Sequence, residues 1–456
     1  MTAHYDRARV AHDLRSPHAA PVIASSMQRS LEHKRAAQAH VAWAALRAQA
    51  HALKKDAIEH LDSLLSEFER NFIARGGTVV WARTAAEAAE RFIRICADGG
   101  ADSVVKGKSM LSEELELNDR LAAAGIAAVE TDLGEYIVQL AGQRPTHVIA
   151  PAAHLSRQDV GRIFERELNM PYCDDPRTLS LAARAKLRSR YLKAGVGMTG
   201  VNFAIAETGT LVVVENEGNG GLSASAPPIH IAIMGIEKVI RRVADLDVFL
   251  PLLARAGTGQ KITTYTHHFL GPEPGKQQYC IIVDAGRTNL LADPVLRESL
   301  YCIRCGACMN VCPVYRRAGG GAYGWVYPGP IGAVITGTML DTPEASDLPY
   351  ASTLCGACKE ECPVAIDLPR QLLHLRASAV ESGASGGGLE RGAIRRFTAA
   401  MSDTKSYARA VSFLRAALAI GGALPIRVGA MGRWMRARAL PKPARQSFRE
   451  WWAQRP

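Results

Sequence analysis

Two cysteine runs constrain this chain more than any other feature. Cys302, Cys305, Cys308 and Cys312, followed by Pro313, read C-x2-C-x2-C-x3-C-P; Cys355, Cys358 and Cys362, followed by Pro363, read C-x2-C-x3-C-P. The first is the spacing with which bacterial ferredoxins hold a [4Fe–4S] cluster. Four thiolates converge on one cluster only if the chain turns tightly, which accounts for the two-residue spacers and the glycine inside each run. Cys-Gly-Ala-Cys occurs at both 305–308 and 355–358. This internal repeat aligns Cys305 with Cys355, Cys308 with Cys358 and Cys312 with Cys362, and leaves Ser352 opposite Cys302.

In two-cluster ferredoxins the last cysteine of each run ligates the other cluster. The expected sets are therefore Cys302, Cys305, Cys308 and Cys362 for cluster 1, and Cys312, Cys355 and Cys358 for cluster 2. The second set is one thiolate short. Cluster 2 is then either [3Fe–4S], or [4Fe–4S] completed by Ser352 or another ligand, and the sequence leaves both open. Zinc also binds C-x2-C pairs, but two zinc sites want eight ligands in closed sets of four, usually with His among them. The repeated spacing and the lack of His favour two iron–sulfur clusters, which pass one electron at a time and point to an electron relay. Cys96, Cys173 and Cys280 lie outside the runs and read as small apolar residues or bystanders.

The remainder is an ordinary globular chain of 456 residues, 48% apolar and 22% charged, enough for about three units at roughly 150 residues each. No stretch has the ~18 apolar residues of a spanning helix; Val411–Leu424 is too short and contains Arg415. The first 21 residues are polar and unlike a secretory signal, so the expected location is the cytoplasm. The net charge of +11 is unevenly placed. Residues 391–456 carry 14 Lys and Arg against 2 Asp and Glu, whereas the first 390 residues carry 41 against 42. A basic tail with Arg433, Arg436 and Arg438 around Trp434, and Arg449 beside Trp451 and Trp452, suits a docking surface. No nucleic-acid-binding fold is visible, and no nucleic-acid partner is expected.

Residues 1–74 read as a helical region, with two helices expected over Ser30–Ala74. Strands are expected at Gly77–Ala82, Asp102–Val105, Ala127–Glu130, His147–Ala150, Leu211–Val214, Ile229–Met234 and Cys280–Val283. Helices are expected at Thr84–Ala97, Ser112–Ala124 and Arg157–Glu167. Such alternation describes an α/β domain with a parallel sheet over residues 75–295. A cluster domain spans 296–380, a Gly/Ser linker 381–390, and the basic extension 391–456.

Gly319–Gly324 matches G-x-G-x-x-G by letter, but it follows a cysteine run instead of a strand and reads as a turn-rich insert. Gly107-Lys108-Ser109 resembles the end of a phosphate-binding loop, yet six residues, not four, separate it from Gly100. Lys106, Lys108 and Ser109 follow one expected strand, and Thr131, Asp132 and Glu135 another. Open α/β sheets bind ligands at strand carboxyl ends, so these are candidate cleft residues, with loop capping as the plainer alternative. Glu207-Thr208-Gly209-Thr210 precedes a further strand, and His267-His268 reads as a surface pair.

Three stretches carry a resemblance: Gly200-Val-Asn-Phe-Ala-Ile-Ala-Glu-Thr-Gly-Thr-Leu-Val-Val-Val-Glu-Asn-Glu-Gly-Asn219, Ala226-Pro-Pro-Ile-His-Ile-Ala-Ile-Met-Gly-Ile-Glu-Lys238 and Tyr323-Gly-Trp-Val-Tyr-Pro-Gly-Pro-Ile-Gly-Ala333. With the cysteine runs, they resemble the lactate-utilisation protein B family from about residue 20 to the tail. The resemblance implies an α/β domain similar to the sugar-phosphate isomerase and CoA-transferase-like fold, an α-helical ferredoxin-like dicluster domain and a helical C-terminal extension. It also implies an iron–sulfur subunit of a flavin-independent L-lactate oxidation complex. Two partner proteins go with that role, one a second cysteine-rich redox protein. The missing cysteine at Ser352 agrees with the family pattern, and no catalytic residue set can be carried over. The competing expectation is a group- or acyl-transferase with structural or redox-sensing clusters, in which a glutamate such as Glu207 is catalytic.

Overall fold

The computed structural model describes residues 4–13, 19–384, 388–421, 432, 444 and 446–455. The chain divides into two compact units, Met1–Ala384 and Ser385–Pro456.

Among the described residues of the first unit lie ten strands: β1 (Thr78–Ala82), β2 (Ser103–Lys106), β3 (Ala127–Glu130), β4 (Val196–Gly200), β5 (Phe203–Ile205), β6 (Thr210–Glu215), β7 (Ile229–Gly235), β8 (Val239–Ile240), β9 (Tyr265–Phe269) and β10 (Gln277–Val283). Six of them form a parallel sheet in the order β1-β10-β7-β4-β2-β3. Strands of a parallel sheet are covered on both faces and read as unbroken apolar runs; β7 is buried at every position. Alternate residues of β10 enter different cores. Ile281 and Val283 pack with Phe92 and Ile95 of helix Ala85–Asp98, whereas Cys280 and Ile282 join the core that also holds the cysteine runs.

Local signals set the helix starts. Thr84, Asp132 and Asp175 each accept an amide hydrogen bond three residues on, and Ser156 with Asp159 forms a reciprocal capping box. Such caps each contribute about 1 kcal/mol.

The structure departs from the expected elements in four places. His147–Ala150 is not a strand, because the His147 ring Nδ1 accepts from the amides of Ile149 and Ala150, both at 3.2 Å. Leu211–Val214 belongs to β6, which lies in a second sheet of order β8-β5-β6-β9 and pairs antiparallel with β5 and β9. The N-terminal region forms three long helices, Ala19–Gln38, Trp43–Glu59 and Leu61–Ala74. The last two part at His60, whose ring bonds the Asp56 carbonyl at 2.9 Å. The expected helix at Ser112–Ala124 is two short helices parted by Glu116, which takes a left-handed φ of 51°.

The cysteine-bearing segment is helical, as expected: Ala307–Val311, Tyr315–Ala318, Gly329–Leu340, Ala357–Glu361 and Leu368–Glu381, with 3-10 turns between. Gly320–Tyr323 is one of those turns, so the glycine-rich insert opens no phosphate-binding helix.

In the second unit, helices Gly388–Met401, Thr404–Gly421 and Phe448–Ala453 are described. Arg415 bonds the Ala444 carbonyl at 3.1 Å, and Phe448 stacks on Trp452. Arg433, Trp434, Arg436 and Arg438, like linker residues Ser385–Gly387, lie outside the described residues. Across the described residues, no helix is long and apolar enough to cross a membrane.

Candidate metal centre

The two Cys-Gly-Ala-Cys loops are copies of one backbone. Arg304 (φ 59°) and Gly306 (φ 78°) precede helix Ala307–Val311; Leu354 (φ 54°) and Gly356 (φ 86°) precede helix Ala357–Glu361. Cys312 and Cys362 end those helices with the same φ of −70° and ψ of 120°. A left-handed conformation costs a non-glycine residue of order 1 kcal/mol or more. Arg304 and Leu354 bear that cost where the chain must curl back on its own sulfur. In the first loop the Arg304 amide donates to Cys302 Sγ at 3.4 Å. In the second, the Leu354 amide donates to Ser352 Oγ at 3.1 Å.

The thiols fall into two neighbourhoods. Cys302, Cys305, Cys308 and Cys362 line one apolar cavity with Val148, Met309 and Ile331. Burial, then the neighbouring Cys362 and Cys302, push the Cys305 thiol up to about 12; burial also takes Cys362 to about 11. Cys312 feels Cys355, and Cys358, raised to about 12 chiefly by burial, feels Cys312 and Cys355. Cys308 and Cys358 link the two groups through their mutual repulsion. Cys355 is exposed, and hydrogen bonding from the Ala357 amide lowers its thiol.

Three thiols of this set, Cys305, Cys308 and Cys362, are buried and resist ionisation separately, and such groups are stable as thiolates only around a strongly positive centre. Among the described residues, no three His, Cys, Asp or Glu side chains converge as the ligands of a single ion do. Four thiols around one cavity, at the ferredoxin spacing and without His, fit a multi-iron core better than zinc. Outside the runs, Cys96 and Cys280 are buried small apolar residues and Cys173 is half-buried.

The N-terminal helices hold the second loop in place. Lys34 donates to the Glu361 carbonyl at 2.9 Å, Arg47 to the Cys362 carbonyl at 2.6 Å, and the His51 ring bonds the Val364 carbonyl at 2.9 Å.

Beside the four-thiol cavity lies a buried charge network. Arg287 bonds Glu114 at 2.8 and 2.9 Å and Glu237 at 2.7 Å; Arg304 bonds Glu237 at 3.3 Å and covers the Tyr327 ring at 4.7 Å. Lys54 donates to the Glu237 carbonyl at 2.6 Å. Burial alone raises a carboxyl, but Arg287 and Arg304 hold that of Glu237 at about 2. Burial lowers the Lys54 amine to about 7 and that of Lys238 to about 8. Gly235 is required here, since a Cβ would lie 2.0 Å from Glu237 Oε2 and 2.3 Å from Arg287 Nε.

At the carboxyl ends of β2, β4 and β7 opens a cleft of about 310 Å³. Lys108, Ser109, Asp132, Asn202, Glu215 and Lys238 line it, and Arg304, Cys305 and Tyr327 close it. Lys108, Ser109 and Asp132 are thus brought together as the sequence suggested. Lys106 is buried instead, 2.6 Å from Asn118 and paired with Glu130, while Thr131 donates to the Lys106 carbonyl at 2.6 Å. Glu135 lines a separate cavity at the sheet edge, and neither of its carboxyl oxygens has a partner.

Glu207 is exposed, accepts from the Val243 amide at 3.1 Å and does not line the cleft, which removes the support for a catalytic role. His267 is more than half of a surface pair: its ring bonds Glu215 at 2.7 Å. Sequence reasoning missed Asn202, Glu215, Lys238 and Arg304. The available signal was Glu237-Lys238 two residues after a fully buried strand.

Three family models match the chain: the LUD domain over residues 65–288, the 4Fe-4S dicluster domain over 298–366, and the lactate utilisation protein B C-terminal family over 374–456. The electron transport protein YkgF of Escherichia coli is 39% identical over 90% of this chain and 88% of its own length. Lactate utilization protein B of Shouchella clausii is 37% identical over 95% and 93%, and that of Bacillus cytotoxicus 38% over 90% and 88%. The chain pairs a LUD domain with an iron–sulfur dicluster domain and belongs to the lactate utilisation protein B family.

Proposed function

We propose that this protein is the iron–sulfur electron-transfer subunit of a complex that oxidises L-lactate to pyruvate. The observation that carries the reading is the pair of matching cysteine loops, one beside the cleft and one reaching the surface at Cys355. Cluster 1 is assigned to Cys302, Cys305, Cys308 and Cys362, the four that share a cavity. Cluster 2 is assigned to Cys312, Cys355 and Cys358, with Ser352 at its fourth corner. Bound there, iron–sulfur clusters supply one-electron acceptance.

Oxidation of lactate to pyruvate releases two electrons and two protons, and a pair of one-electron acceptors matches that count. The chain's own residues order the path. Cys305 faces the cleft, Cys308 and Cys358 adjoin between the two groups, and Cys355 meets solvent. Arg304 and Lys238 place positive charge next to Cys302, which offsets the negative charge of four thiolates in an apolar setting.

The division of labour assigns residues 75–295 to an α/β domain of the sugar-phosphate isomerase and CoA-transferase-like kind, 296–380 to relay and 391–456 to docking. The partners are two further subunits in the cytoplasm, one of them cysteine-rich. Anaerobic mixing of lactate with the three purified proteins tests the reading. Bleaching of the cluster absorbance, lost in Cys305→Ser, is expected; unchanged absorbance with continued pyruvate formation overturns it.

A further inference from the structure

We propose that the cleft at the ends of β2, β4 and β7 is a binding site for a small 2-hydroxy or 2-oxo carboxylate, its carboxylate held by Lys108 and Lys238. The proposal rests on the electron-transfer reading for its substrate class and adds where that substrate sits.

Charge pairing in the cleft is one-sided. Glu237 is taken by Arg287 and Arg304, and Glu215 by the Gly220 and Gly221 amides and His267. Asp132 caps a helix through the Glu135 amide, and Glu217 accepts from Leu133. The acids are thus occupied by the protein's own donors. Two cations are not: among the described residues, the half-buried Lys108 and Lys238 have neither a hydrogen bond nor an ion pair, while Arg304, paired with Glu237 through Nη2, keeps a buried Nη1 without an acceptor. Leaving a buried charged donor unmet is costly, and an anion in the cleft relieves that cost.

Size and position narrow the class. A volume of about 310 Å³ is at the small end of ligand pockets, which run from about 300 to 1,000 Å³. Asn202 Oδ1 accepts from the Val214 amide at 2.9 Å, leaving its NH2 for a ligand hydroxyl or carbonyl oxygen. Cys305 belongs both to the cleft and to the four-thiol cavity, so a bound acid lies against a cluster ligand. The carboxyl ends of parallel strands are also where open α/β sheets bind ligands.

The test uses the full chain, purified anaerobically with its clusters, and calorimetric titration with L-lactate, pyruvate, L-lactamide, acetate and phosphate. Lactate and pyruvate are expected to bind, and lactamide, which lacks the charge, to bind at least tenfold more weakly. Lys108→Gln and Lys238→Gln should each lose about tenfold or more, and Lys108→Arg should recover part of the loss. Pyruvate should also change the paramagnetic resonance line shape of the reduced protein, and Lys108→Gln should abolish the change. Equal iron content in every variant shows that the loss is not misfolding.

Equal binding of acetate and phosphate, or unchanged affinity in both glutamine variants, overturns the site. Absence of binding, with lactate still bleaching the clusters in the three-protein mixture, overturns the site and leaves the relay standing. Binding without bleaching in that mixture does the reverse.

Discussion

Ser352 and Cys302 hold the same place in two copies of one loop: Ser352 Oγ accepts the Leu354 amide at 3.1 Å, as Cys302 Sγ accepts the Arg304 amide at 3.4 Å. The second copy keeps the curl of the first and changes one atom, oxygen for sulfur. An alkoxide is a harder and more weakly held ligand for iron than a thiolate. Replacing Ser352 by Cys should therefore give cluster 2 a fourth thiolate and slow its decay in air. The check is paramagnetic resonance after timed oxygen exposure. Native protein is expected to gain a three-iron signal and Ser352→Cys to resist it; equal decay in the two would remove Ser352 from the ligand set.

Arg287 carries two carboxylates in a fully buried setting, Glu114 on one side and Glu237 on the other. Removing one partner of such a group leaves uncompensated buried charge and costs about 3–5 kcal/mol. Arg287→Met should lower stability by that amount in denaturant unfolding. A double variant that also replaces Glu114 by Gln should recover part of it, since one stranded charge is gone. A loss under about 1 kcal/mol for the single variant would show the network to be solvated.

His230 lies inside β7 between Thr199 Oγ1 at 2.8 Å and Gln278 at 3.2 Å, and burial lowers its ring to about 3. The unfolded chain binds the proton near pH 6.5 and the folded chain does not, so the depressed value penalises folding in acid. Stability is unaffected above about pH 6.5 and falls by about 1.4 kcal/mol per pH unit between there and pH 3 for this group. His230→Gln should flatten part of that slope in unfolding midpoints measured from pH 7 to 4. An unchanged slope would place the acid sensitivity elsewhere.

The last 66 residues hold 14 Lys and Arg against 2 Asp and Glu, and Trp452 in the closing helix is exposed. If this segment docks a partner through charge, the association should weaken steeply with salt. Deleting 391–456 should abolish co-purification with the partner subunits at low salt while leaving the iron content of the remaining chain unchanged. Salt-independent association would assign the contact to another surface.

Cysteine spacing and apolar strands were legible because each is a local pattern: β7 is apolar but for His230, β10 ends in the apolar run Cys280–Val283, and ligand spacing needs no tertiary context. His147–Ala150 misled because a His ring can replace the strand partner of two amides, which no periodicity reports. β4 stayed hidden for a related reason. Its Gly197 breaks the apolar run, and it must, since a Cβ there would meet the Ser223 carbonyl oxygen at 1.5 Å. The cleft was half visible. Lys108 and Ser109 follow a strand, but Lys238 reaches them only through the strand order β1-β10-β7-β4-β2-β3, and Arg304 only from the cysteine-bearing segment that follows the sheet.

Cys280 and Ile282 share one continuous core with Cys305, Cys308, Cys312, Cys358 and Cys362. During synthesis the strands emerge before the cysteine-bearing segment that helps cover this face. Part of the sheet therefore stays uncovered until the ligand-bearing loops arrive and close. If those loops close only around their clusters, iron supply acts on the maturation of the whole first unit, and a chain made without it exposes part of its sheet to chaperones and proteases.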